Sequence, residues 1–186
     1  MRAIRVRALV CAASAAFLAL AGPDIVSAGV GPAPPVKSGV RPPIATSDKA
    51  RILALEARFA AAVNAKDVAK IMSVYDGRRL FDFDVFPPRQ YVGGAAFKTT
   101  WNALVSIAGP IDFKVLDLDI DVVGSVAYSH AIQDAHWTGA DGKPVEMTVR
   151  VTRVYRKTGE GWRIVQEHTS VPVDPSTGQA DMLSKP

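Results

Sequence analysis

Histidine, glutamine and serine at alternate positions near the end of the chain are the residues best spaced for chemistry. In Trp162-Arg163-Ile164-Val165-Gln166-Glu167-His168-Thr169-Ser170, followed by Val171-Pro172, strand geometry puts Trp162, Ile164, Gln166, His168 and Ser170 on one side. That row runs from apolar to polar, which suits a sheet that packs on helices at one end and lines a pocket at the other. An unperturbed histidine titrates near ~6.5 and small environmental shifts make it useful at neutral pH, so His168 reads as a general acid/base or as a donor to a ligand. A buried histidine paired with a carboxylate or with Ser170 is the structural alternative. Gln166, in the same row, is a candidate ligand contact. Arg150 shares a face with Glu146 and Thr152 on the preceding stretch. If that face is the inner one, Arg150 anchors an anionic ligand or is neutralised by Asp84 or Glu146, because an unpaired buried arginine is costly.

Other constellations carry less. His130, Asp134 and His136 share a strand face, but residues six apart on a strand lie about 20 Å from end to end, so one strand cannot present both histidines to one ion. No metal or cofactor is expected; His130 is kept as a ligand contact. Trp101, Trp137 and Trp162 read as cavity walls or as core, with Trp101 the candidate for ligand contact. Same-face Asp117, Asp119 and Asp121 read as a solvated edge that discourages aggregation. The sequence holds no Gly-rich phosphate loop, and its one cysteine, Cys11, lies in the leader described below, so thiol and disulfide chemistry are excluded from the rest.

The elements that must position these residues follow from periodicity. Ser47 is placed to cap a helix starting near Asp48, whose carboxylate would favour the positive helix end. Ile52, Leu55, Phe59 and Ala62/Val63 make its apolar stripe, with Arg51, Glu56 and Arg58 largely on the other side. After Asn64-Ala65-Lys66-Asp67, a second helix carries Val68, Ile71, Met72 and Tyr75. Leu80 to Phe86 alternates as a strand stopped by Pro87-Pro88. A third helix follows Gly93-Gly94, with Phe97, Trp101, Leu104, Val105 and Ala108 on one stripe and Gly109-Pro110 as its stop. Four strands then span 113–122, 126–138, 145–157 and 162–171, joined by glycine-containing hairpin turns. Helices on one face of a curved, mainly antiparallel sheet describe an α+β domain over residues 47–174. Residues 175–186 read as a flexible polar tail.

Residues 1–28 read as an export signal. Arg2, Arg5 and Arg7 precede an apolar run from Ala8 to Ala21, and Val26-Ser27-Ala28 suits cleavage after Ala28. The run falls short of the ~20 residues that span a bilayer, so no stable membrane anchor is expected, an uncleaved anchor being the alternative. Residues 29–46 are a Pro/Gly-rich linker. Losing the leader removes three arginines and Asp24, which lowers the net charge from +4 to +2. Basic residues are scattered among acids, so nucleic acid is not an expected partner. The expected location is secreted or periplasmic.

This order of elements, with Phe59 to Asp67, Asp84-Val85-Phe86-Pro87-Pro88 through Tyr91-Val92-Gly93, Arg150-Val151-Thr152, and Gly161 to Val165 through His168 to Pro172, resembles the SnoaL-like and ketosteroid-isomerase-like branch of the nuclear transport factor 2-like superfamily. The resemblance implies a cone in which three helices close a strongly bent sheet over an apolar cavity, and homodimerisation through the sheet's outer face. It also implies a small apolar or carboxylate-bearing ligand and acid/base chemistry of isomerase, dehydratase or cyclase type. Asp84 lies near the catalytic aspartate of the isomerases, and a carboxylate desolvated at a cavity mouth suits proton abstraction beside a carbonyl. Its alternative role is to accept backbone hydrogen bonds in the tight approach to Pro87-Pro88. The isomerases' oxyanion-stabilising tyrosine corresponds here to Phe59, which argues against ketosteroid isomerisation. Tyr75, Tyr91 and Tyr128 remain as replacements, with Tyr75 taken as a ligand contact. A non-catalytic binding or assembly module, like the association domains of calcium/calmodulin-dependent kinases, is the rival reading.

Overall fold

The computed structural model describes residues 44–184; the leader, its cleavage point and nearly all of the linker lie outside them. Helix α1 spans Ile44–Asn64. It begins ahead of the expected start, with position 47 inside the helix rather than at its end. Helix α2 (Val68–Ser73) is capped by Asp67, whose side chain accepts from the Lys70 amide, and helix α3 covers Gly94–Ile107. Between them lie two short strands, β1 (Phe81–Phe83) and β2 (Tyr91–Val92). The strand expected over Leu80 to Phe86 therefore stops early, and Asp84 opens a loop whose Pro87 and Pro88 cannot extend a ladder. The meander follows as β3 (Ile111–Val123), β4 (Val126–Thr138), β5 (Pro144–Thr158) and β6 (Gly161–Ser170).

The sheet runs β2-β1-β6-β5-β4-β3. All neighbours are antiparallel except β1 and β6, which pair parallel with Asp82 opposite Glu167. The helices cover one face, where Ile52, Leu55 and Phe59 of α1 meet Phe113, Ile120, Tyr155 and Ile164 of the strands. The Asn64 side chain ties the end of α1 to the sheet, accepting from the Phe113 amide at 2.7 Å and donating to its carbonyl at 3.1 Å. Asp117, Asp119 and Asp121 are exposed along β3, the edge strand. No helix among the described residues is long and apolar enough to cross a membrane.

Two irregularities shape the sheet. β3 shifts register between Leu116 and Asp119, and β6 shifts between its pairings with Val154 and Tyr155. In β6, Ile164 faces Tyr155 and Gln166 faces Val154, so Val165 is the extra residue of a bulge. The bulge reverses the alternation. Trp162 and Ile164 are buried before it, and Glu167 is buried after it while His168 is exposed. The single row from Trp162 to Ser170 is thus broken in the middle.

Past Ser170 the polar end, expected to be flexible, folds back on itself. Val173 bridges Ala180, the Asp174 amide donates to the Gln179 carbonyl, and the Met182 carbonyl accepts from the Thr148 amide on β5 at 2.7 Å. The Gly178 position at φ 72° makes the tight reversal, a conformation that glycine adopts without a Cβ penalty.

Candidate functional site

Four of the expected site residues share the outer face of the sheet rather than a pocket. His130 pairs with Thr152, Thr152 with His168, and His168 with Phe83, in one row across β4, β5, β6 and β1. His130, Arg150 and His168 are exposed. Gln166 follows the same side, between Val154 and Phe81. The bulge at Val165 explains Gln166 and His168, since every residue after it changes face. For Arg150, the inner face of β5 is the odd-numbered one, and the buried arginine is Arg153.

Arg153 sits at the centre of a polar core. Its Nε donates to Glu167 Oε2 at 2.6 Å and its Nη1 to Glu56 Oε2 on α1, while its guanidinium lies 4.2 Å over the Phe59 ring. Tyr155 donates to Glu56 Oε1 at 2.6 Å and Tyr75 to Glu167 Oε2 at 3.0 Å. Burial works against the Arg153 charge, yet the Glu167 and Glu56 carboxylates more than offset it and hold its pKa above the ordinary value. Asp48 makes a second buried link, accepting from Lys157 at 2.8 Å and from Trp162 Nε1 at 3.1 Å. The Lys157 bond foremost, then the Trp162 bond, holds its carboxyl below the usual range. Besides Arg51 of the same helix, which donates to it at 3.4 Å, its partners thus come from β5 and β6, in place of the helix end expected from the sequence.

Beside this core lies a cavity of about 110 Å³ between α3, the sheet and the loop after β1, well above the ~10–15 Å³ that one water needs. Its walls include Trp101, Leu104, Phe113, Trp137, Met147 and Val149, and Phe86, 40% exposed, marks the side near solvent. Asp84, Thr100, Gln133, Glu167 and Thr169 are the polar side chains on the lining, besides the Trp101 and Trp137 indoles. Burial raises the Asp84 pKa, against the backbone amides of Phe86 and Val85 that donate to the carboxylate. Asp84 lines the cavity and accepts from Phe86 N at 3.3 Å. The Nε1 of Trp101 and the Nε2 of Gln133 are buried without a hydrogen-bond partner.

One further carboxyl stands behind the wall. Asp82 is 0% exposed, and neither of its oxygens has a partner. Burial, then the Glu167 and Asp84 charges, push its pKa to about 8, so it holds a proton at neutral pH.

Phe59 is 1% exposed, with its ring edge-on to those of Tyr75, Trp101 and Phe113. No tyrosine takes the place of its missing hydroxyl: Tyr75 donates to Glu167, Tyr91 to the Pro87 carbonyl and Tyr128 to Asp121, and none of them lines the cavity. Of the expected site residues, then, Asp84 and Trp101 reach the cavity and Tyr75 reaches its polar backing. Glu167, Gln133 and Asp82 were missed. Asp82 shares the alternation of Asp84, which is a signal the sequence offered; Glu167 was hidden by the bulge.

Residues 52–174 match the SnoaL-like domain family. The chain belongs to that family. Among solved structures, the SnoaL-like domain resembles a nuclear transport factor 2-like protein of unknown function from Pseudomonas putida, with 27% identity over 76% of this chain and 98% of the other, and a TM-score of 0.68. A nuclear transport factor 2-like superfamily protein from Salmonella enterica serovar Typhimurium is 20% identical over 73% of this chain and 99% of its own, with a TM-score of 0.64. A ketosteroid isomerase-like protein from Erwinia carotovora atroseptica is 17% identical over 65% of this chain and 93% of its own, with a TM-score of 0.56. The last two likenesses concern the fold alone. No match was found among functionally curated proteins.

Proposed function

We propose that this SnoaL-like domain binds a small, largely apolar molecule in the cavity beside α3 and moves a proton on it without a cofactor. The observation that carries this reading is Asp84, a carboxyl on the lining of an apolar cavity with its pKa raised by burial. An ionised Asp84 takes a proton from a carbon next to a carbonyl, becoming neutral as the substrate becomes an enolate. Returning that proton to another carbon isomerises the substrate, and returning it to a leaving hydroxyl dehydrates it. Glu167 is held in place by Arg153 and Tyr75, which both donate to its Oε2.

His168 and Arg150 have no part in this reading, because both lie on the outer face. The carboxylate-bearing ligand loses its anchor for the same reason: among the described residues, no lysine, arginine or histidine lines the cavity. The outer face instead supports the proposal of a homodimer, since the row of His130, Thr152 and His168 is flanked by exposed Phe83 and Tyr128. Export by the first 28 residues remains our proposal from their composition.

The test is exchange at the α-carbon of cyclohexanone in deuterated water, followed by proton NMR. Wild-type protein is expected to accelerate exchange, and Asp84→Asn to lower the protein-dependent rate by about 10²–10⁴-fold with folding stability unchanged or raised. Equal rates with the two proteins would remove Asp84 as the base. Phe59 favours a second reading, a non-catalytic binding module, because it supplies no donor where the isomerases of the family have one. That reading is met by binding without any protein-dependent exchange.

A further inference from the structure

Two N–H groups on the cavity lining have nothing to bond. Trp101 Nε1 and Gln133 Nε2 are both buried and unpartnered, and Gln133 as a residue is only 7% exposed. They come from different elements, α3 and β4, yet both side chains line the same cavity. An unmet buried donor is costly, and folds seldom keep one unless something else supplies an acceptor. The remaining polar groups on the lining are the carboxyls of Asp84 and Glu167, the hydroxyls of Thr100 and Thr169 and the Trp137 indole. Glu167 already accepts from Arg153 and Tyr75.

From this asymmetry we infer that the cavity recognises an uncharged molecule by one carbonyl oxygen, seated on the Trp101 and Gln133 N–H groups, and that it rejects carboxylates. A carbonyl oxygen has two lone pairs and brings no donor of its own, so it can satisfy both nitrogens at once. A carboxylate would meet Asp84 and Glu167 with no cation on the lining to neutralise it. The apolar walls then take the rest of the molecule, and the volume of about 110 Å³ is of the order that holds one small ring. This inference rests on the cavity being the binding site, as proposed above. It assigns Gln133 as a specificity-determining residue.

The experiment compares cyclohexanone, methylenecyclohexane of nearly the same shape, and cyclohexanecarboxylate, each titrated into the full chain labelled with ¹⁵N. Binding and the indole and side-chain amide signals of Trp101 and Gln133 are followed by NMR, with Trp101→Phe used for assignment. Cyclohexanone is expected to bind and to move both signals downfield, methylenecyclohexane to bind without moving them, and cyclohexanecarboxylate not to bind. Gln133→Leu is expected to weaken cyclohexanone about tenfold, as loss of one hydrogen bond predicts, and to leave methylenecyclohexane unchanged or tighter. Should the ketone and the alkene bind alike with both signals still, the carbonyl inference is overturned while the cavity remains a binding site. Preferential binding of the carboxylate also overturns it. Absence of binding by all three overturns the binding proposal itself. The wild-type signals decide the matter even if Gln133→Leu folds poorly.

Discussion

Asp82 takes both carboxyl oxygens into a core that offers them no donor, and its titration should therefore be visible in the stability of the whole chain. In the unfolded chain it titrates near 3.8, and in the fold at about 8. Below the lower value both states are protonated and the contribution is complete. Between the two, the folded chain holds a proton that the unfolded chain lacks, so stability falls as pH rises, by up to ~1.4 kcal/mol per pH unit, and levels off above the upper value. Asp82→Asn carries no such proton. Its urea midpoint is expected to gain on wild type progressively from about pH 5 to pH 8, and parallel curves would contradict the assignment. The same residue scale shows what the sequence made legible. Asp84 follows from the family resemblance and Trp101 from the apolar stripe of its helix, and both line the cavity. Glu56 was misread as surface because it is charged, although its spacing from Ile52 and Phe59 puts it in the middle of their stripe. Arg153 from the far end of the chain reverses that expectation, and only the folded partner reveals it.

At the scale of elements, helices and strands were readable from their periods, and the meander follows the glycine turns. Bulges were not readable. One extra residue at Val165 sends Gln166 and His168 outward and Glu167 inward, and no residue type in Arg163-Ile164-Val165-Gln166 announces it. Pairing with β5 on one side and β1 on the other decides where the extra residue goes, and that is a property of three strands at once. The returning hairpin beyond Ser170 is a similar case, since its polar composition matches a solvated tail equally well. Ending the chain after Val171 strips the Thr148 amide of its acceptor and opens the edge of β5. Chemical denaturation is expected to show a loss of about 1–2 kcal/mol, with greater self-association from the uncovered edge. An unchanged midpoint would mean that the hairpin only rests on the sheet.

For the whole molecule, the two faces of the sheet divide the work. The inner face holds the polar core and the cavity. The outer face presents Asp119, His130, Thr152, His168 and Phe83 in one register row, the surface on which a second copy is proposed. Two-fold pairing brings like residues near one another, so Thr152→Glu sets two carboxylates close together. Sedimentation is expected to show a dimer for wild type and a monomer for the variant, with cyclohexanone binding retained. A wild-type monomer at tens of micromolar would dispose of the dimer. The buried ion pairs bear on how the chain is made. Glu56 must wait for Arg153 and Tyr155, and Asp48 for Lys157 and Trp162, across separations of 97, 99, 109 and 114 residues. Partners so distant are met late, which slows closure. A chain emerging from the ribosome therefore lacks the distant partners of both acids until nearly the last strand is synthesised, and the buried links close late. A polypeptide that closes late stays open to threading through a narrow channel while it is being made, as the export we propose would require.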